Sequence, residues 1–280
     1  MIINADDFGL HPGINAGIIA GFKKGIITSA SISVNGKAYQ DAVLLLKQNP
    51  GLDIGLHVTL IEEYPVLGAE KVKSLCKQNK FYSKSLDFLS RYFLGLINMN
   101  EIEIEVAAQI NEALKSGLKL THIDSHRHLH LLPGIGDFIL KIANKYNIKY
   151  VRSGRFKPAL KMKKRLWELK ALDFLGRRLR NRAGNSHLKS SEMIFGFQWS
   201  GGLTKSLLIE IVDSTETGVA ELICHPGLNN RHISSAYPQW EYNWEGELNA
   251  LLSSEFKQAI EDNDIKLVNF QNLDEEQPGV

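Results

Sequence analysis

The alternation of short apolar runs with longer stretches of helical period constrains this chain more than any other feature. Runs rich in Ile and Val fall at residues 2–5, 31–34, 52–60, 119–124, 148–151, 219–224 and 266–270, with a further one at 193–197. Between them lie helix-like segments: one opening at Pro12, then Tyr39–Gln48, 101–115, 135–146, 203–212 and 246–260. The clearest is 101–115, where Ile102, Val106, Ile110 and Ala113 recur at helical spacing. Pro12 suits a first helical turn because its missing N–H is not needed there. Strands separated by helices argue for a parallel sheet, since parallel neighbours require a crossover. Eight such units in 280 residues predict an α/β fold, an irregular TIM-like (β/α) barrel forming a single domain. Residues 71–91 break the rhythm and are expected to form an excursion, part of a lid.

The opening MIINADDFGL carries two carboxylates within seven residues and does not read as a secretory signal. Cys76 and Cys224 cannot make a disulfide framework, and no apolar run approaches a membrane span. A cytoplasmic location is the expectation. Charge is unevenly spread. The chain's formal charge is +2, yet residues 155–189 hold twelve Lys/Arg against Glu168 and Asp173, a local +10 that leaves −8 elsewhere. With Leu166, Trp167, Leu172, Phe174 and Leu175 nearby, "LGRRLRNR" predicts a basic amphipathic helical insertion. Such a segment is suited to peripheral contact with a membrane's inner face; nucleic acid is not an expected partner. A homodimer is the default oligomer.

Active sites of parallel α/β folds gather at the carboxyl ends of strands. Asp6 and Asp7 follow the first run, and His57 lies in "IGLHVTL". Asp124, His126, His128 and His130 follow 119–124, and His225 follows 219–224. Four strand ends thus supply Asp and His, donors suited to Zn²⁺ or another divalent ion. His57 faces away from its apolar neighbours Leu56 and Val58 in a regular strand. The stretch THIDSHRHLH holds four histidines; His122, Asp124, His126, His128 and His130 share one face if extended. A metal needs three or four protein ligands, not five from one segment, and spacing alone does not choose among them. Cys224, beside His225, reads as a packed strand cysteine.

Together "NADDFG" at 4–9, "GLH" at 55–57, "THIDSHRHLH" at 121–130 and "CHPG" at 224–227 resemble the YdjC-like (ChbG-like) carbohydrate deacetylases. "GIITSASISVNG" at 25–36 resembles that family's second strand. The resemblance implies a distorted barrel that removes N-acetyl groups from an amino sugar, oligosaccharide or glycolipid with one divalent metal ion, Zn or Mg. Carried over by position, Asp7, His57 and His126 become metal ligands, Asp6 the general base and His225 the general acid. His128 and His130, with Asp124, would line the substrate pocket. The large basic stretch is similar to the branch found with hopanoid-lipid biosynthesis, whose substrate would be a glycolipid. Two alternatives stand beside this reading: another barrel metal hydrolase, and a non-catalytic barrel that binds carbohydrate or lipid.

Overall fold

Ile2–Phe8 (β1) begins the sheet because its odd-numbered Ile3 and Ala5 face the helices while Asn4 and Asp6 face the opposite way. All four are buried. The computed structural model describes residues 1–158 and 165–273. The remaining strands are Ser29–Ile32 (β2), Asp53–Val58 (β3), His122–Ser125 (β4), Tyr150–Val151 (β5), Arg155–Phe156 (β6), Met193–Phe195 (β7) and Ala220–Cys224 (β8). They form one sheet in the order β5-β4-β3-β2-β1-β8-β7-β6, with every pairing parallel. The two end strands, β5 and β6, are separated only by residues 152–154. Three residues cannot cross an open eight-stranded sheet, so the edges meet along one piece of chain. A parallel bridge from Tyr150 to Lys189, just before β7, ties that seam. The result is the expected α/β single-domain barrel, irregular at its seam.

Helices Pro12–Lys23 (α1), Tyr39–Gln48 (α2), Met99–Lys115 (α4), Ile135–Lys145 (α5) and Lys205–Asp213 (α7) make the crossovers. Several start on side-chain caps: His11 accepts from the Gly13 amide ahead of α1, Asn98 caps α4 and Thr204 caps α7. Each such cap is worth about 1 kcal/mol. Outward strand residues Ile32, Ile54, Leu56, Ile123 and Leu222 pack beneath the helices. Burying each stabilises the fold by about 1.5–3 kcal/mol.

The barrel interior is polar, which the alternation of the strands makes possible. Register sets Asn4 beside Ser29, Ser31 beside Gly55, and His57 beside Asp124. Gly55 is required there: a Cβ would stand 2.3 Å from the His122 ring.

Several expected boundaries shift. Residues 266–270 are not a strand; they run beneath the barrel, where Phe270 stacks on His122 with ring centroids 4.1 Å apart and packs with Ile2 and Tyr150. After the short helix Asn230–Ala236 (α8), the helix expected at 246–260 is two, Trp244–Leu251 (α9) and Ser254–Asp262 (α10), divided where Ser253 caps the second. The excursion at 71–91 contains a two-residue hairpin, Cys76–Lys77 with Lys80–Phe81, and leads into Ser85–Phe93 (α3). Within the basic stretch, Leu166–Gly184 forms α6, whereas residues 159–164 of that stretch lie outside the described residues. No helix among the described residues is long and apolar enough to cross a membrane.

Candidate active site

β1 does not stop at Ala5 as its apolar run implied. It continues through Asp7 to Phe8 with a register shift against β2 between Ala5 and Phe8, and Asp7 takes φ 69°. Such a bulge re-aims a side chain at the rim of a barrel. Asp6 and Asp7 consequently serve two adjoining polar clusters instead of opposite faces of the sheet.

Asp7 Oδ1 stands 3.4 Å from His57 Nε2 and 3.3 Å from His126 Nδ1, with no hydrogen bond to either. One ligating atom from each of these three buried residues lies within 4.8 Å of the other two. The second nitrogen of each imidazole faces another carboxylate. His57 Nδ1 is 2.7 Å from Asp124 Oδ1, and His126 Nε2 is 3.7 Å from Glu62 Oε2. Histidines that hold metals are oriented by this kind of outer partner. The electrostatics agree. Burial disfavours charge on both rings, but the facing carboxylates outweigh it, raising His126 and pushing His57 up to about 10. Burial likewise raises Asp7, yet the two imidazoles hold its carboxyl well below the usual range. The cluster attracts positive charge, and its unpaired oxygen and converging nitrogens fit a divalent cation.

A second group, Asp6, His57 and Asp124, is equally close, but its cation is built in. Arg152, completely buried, donates from Nη1 and Nη2 to the two oxygens of Asp6 at 2.8 and 2.7 Å. Its Nη2 is also 2.7 Å from Asp124 Oδ2, and its Nε reaches Glu221 at 2.7 Å. Asn4 and Ser31 complete the network, Asn4 donating to Asp6 and Ser31 to Asp124.

The cluster of histidines separates by role once β4 ends. Arg127 and His128 occupy the left-handed region at φ 55° and 56°, so the residues after Ser125 no longer share a face. His126 folds back towards Asp7. His128 enters the cavity against Phe156 and Phe197; burial, then the Arg152 charge, depress it well below an ordinary imidazole. His130 does not line the pocket: its ring bonds Ser125 Oγ and the Arg152 carbonyl. Asp124 is likewise not a pocket residue but stands behind His57, fully buried. His122 is an interior residue between Ser31 and Thr121.

A cavity of about 370 Å³ opens over this end of the barrel, lined at its floor by Asp6, His57, His126, His128 and His225. His225 arrives at the end of β8. Its amide donates to Glu247 Oε1 at 2.6 Å, and its Nδ1 lies 3.8 Å from the same oxygen. Burial lowers the affinity of this imidazole for a proton, and Glu247, with Asp7 and Asp6 beyond, more than restores it, so the net shift is upward. Above the floor, Glu62 accepts from Arg127 and from the Trp240 indole, and Trp240 stacks on His126. Burial raises Glu62, but His126 and Arg127 bring it down to about 2. Cys224 is buried and its Sγ approaches the Asn4 carbonyl, which fits packing.

Four residues of this site escaped the sequence reading. Arg152 directly follows the strand-like run 148–151, where site residues gather, but a guanidinium is not a metal donor and so does not stand out beside the Asp and His types. Glu62 also stands two residues past the run 52–60, whereas Trp240 and Glu247 carry no such signal, because a turn and a helix bring them in from outside the strands.

Fold and site together define a parallel α/β barrel with a buried carboxylate–imidazole cluster at its carboxyl end. The chain belongs to the YdjC-like protein family, whose model matches residues 1–262. A carbohydrate deacetylase of Brevibacillus brevis is 32% identical over 276 residues, covering 98% of this chain and 99% of its own. One from Thermoanaerobacter pseudethanolicus is 30% identical over 273 residues, covering 98% of each. Among solved structures, a candidate cellobiose-phosphate cleavage protein from Enterococcus faecalis V583 superposes with a TM-score of 0.76 at 26% identity, covering 97% of both chains.

Proposed function

We propose that this protein is a metal-dependent carbohydrate deacetylase acting on the N-acetyl group of an amino sugar. The observation that carries this is the pair of imidazoles converging on Asp7, each backed by its own carboxylate. The near-full-length likeness to proteins named carbohydrate deacetylases supports the substrate class. Asp7, His57 and His126 would hold the ion, and two imidazoles with one carboxylate suit Zn²⁺ better than Mg²⁺, which prefers oxygen donors. A divalent ion there would supply Lewis acidity towards the acetyl carbonyl and activate a water at neutral pH.

The rest falls to the chain itself. Asp6 is the general base. Arg152 fixes both of its oxygens, Oδ1 accepting twice and Oδ2 once. A carboxylate has about four acceptor sites, so Oδ2 keeps one for the proton of the attacking water. His225 is the general acid: its upward shift keeps a proton for the nitrogen of the departing amine. His128, held neutral, offers a hydrogen bond to a sugar hydroxyl.

The test is acetate release from a panel of N-acetylated sugars by chelator-stripped protein, with and without added Zn²⁺ or Mg²⁺. Release should require metal. Asp6→Asn should keep its metal by elemental analysis and lose about 10²–10⁴-fold in turnover, whereas His126→Ala should no longer retain the ion. Stoichiometric metal in His126→Ala, or bound metal with no release from any sugar, would refute the reading.

A further inference from the structure

Two helices flank the opening of the cavity, and both present large apolar side chains to solvent. At the end of α3 and in the turn after it, Phe93 and Leu94 are 72% and 73% exposed and Leu96 is 51% exposed. On α6, Trp167 is 81% and Phe174 68% exposed. Leu89 and Phe93 of α3, with Leu172 and Leu175 of α6, also line the cavity. Phe93 is thus both exposed and part of the cavity wall, and the other four stand on α6 or in the turn after α3, beside residues that build that wall. Single exposed apolar residues are ordinary, but five around one opening indicate something that covers them.

The solvent face of α6 says what. Its exposed residues include Trp167, Lys170 and Phe174, then Arg177 and Arg178 three and four residues further on, while Leu169, Gly176, Leu179 and Ala183 are buried on the other side. The helix carries Lys170, Arg177, Arg178, Arg180 and Arg182 against Glu168 and Asp173, five minus two, or +3. Partner-protein interfaces deplete charge at their cores. Aromatic residues interleaved with cations on one stripe match a helix lying in a lipid headgroup layer, with the cations drawn to anionic lipid. Trp is enriched at that depth.

We infer that the α3–α6 rim docks on an anionic lipid bilayer, with Phe93, Leu94, Leu96, Trp167 and Phe174 entering the headgroup boundary and the cavity opening towards it. This inference does not depend on the deacetylase reading, because binding alone tests it.

The experiment is flotation of the full chain with phosphatidylcholine vesicles, with and without about one-third phosphatidylglycerol, at low and high salt. Wild type should float with the anionic vesicles at low salt and be released as salt rises. Leu94→Ser/Leu96→Ser and Trp167→Ser, all at exposed positions, should each lower the partition coefficient at least about tenfold. Absence of co-flotation at low salt overturns the inference, as does undiminished binding by both variants. So does a concentration-dependent dimer in sedimentation velocity that Leu94→Ser/Leu96→Ser abolishes while vesicles bind nothing; that result would give the rim to a second copy.

Discussion

Glu247 controls His225 from one oxygen, which accepts the His225 amide and also faces its ring. Burial alone would release the ring's proton at lower pH, but Glu247 reverses this and raises the pKa above the ordinary imidazole value. The ring therefore holds its proton to higher pH than a free imidazole and loses it as pH climbs through the raised value. Glu247→Gln removes the charge while leaving a carbonyl to accept the amide. The alkaline limb of its kcat/KM profile should move to lower pH, with the acidic limb little changed. A limb that stays in place would take the acid role from His225. Much of this end of the barrel was legible residue by residue, because Asp6, Asp7, His57, His126 and His225 are polar types standing at strand ends. Glu247 was not: it lies in the middle of α9, 22 residues beyond His225, and nothing local marks a helix glutamate that points into a barrel.

Among the elements, the seam between β5 and β6 matters most, since Arg152 stands in it and holds Asp6, Asp124 and Glu221 together. These carboxylates belong to β1, β4 and β8, so one guanidinium joins three other strands to the seam. Taking one partner from a buried ion cluster leaves the remaining charges uncompensated, at a cost of about 3–5 kcal/mol. Arg152→Met should lose stability of that order in urea unfolding, and Arg152→Lys less, because it retains the charge but not the fork. A loss below about 1 kcal/mol for Arg152→Met would contradict this account. Helix α2 was legible to the residue, its apolar period and flanking turn signals agreeing. The end of β1 was not, because a bulge is set by pairing with β2 and leaves no local pattern. Residues 266–270 misled for a related reason: a short run with Leu267 and Val268 ending in Phe270 is equally suited to a strand and to a plug beneath the barrel, and only the polar interior above, with His122 needing a stacking partner, selects the second.

For the whole molecule, the position of the Asp7, His57 and His126 group has a thermodynamic consequence. Its members come from β1, β3 and the turn after β4, separated by 50 and 69 residues of chain. An unfolded chain rarely brings them together, so a cation that binds the assembled group binds the native state almost alone. Its binding free energy then adds to folding. At free Zn²⁺ about 100 times the Kd, the gain is about 2.7 kcal/mol, which for a domain of this size corresponds to a rise of roughly 5 °C in Tm. Calorimetry of stripped and loaded protein should show that rise in wild type and none in His126→Ala. The comparison of the two proteins is the decisive one, because adventitious surface ions would shift both alike. A rise shared by His126→Ala would place the stabilising ion elsewhere, whereas a rise confined to wild type ties metal affinity to the folded arrangement that brings β1, β3 and the turn after β4 together.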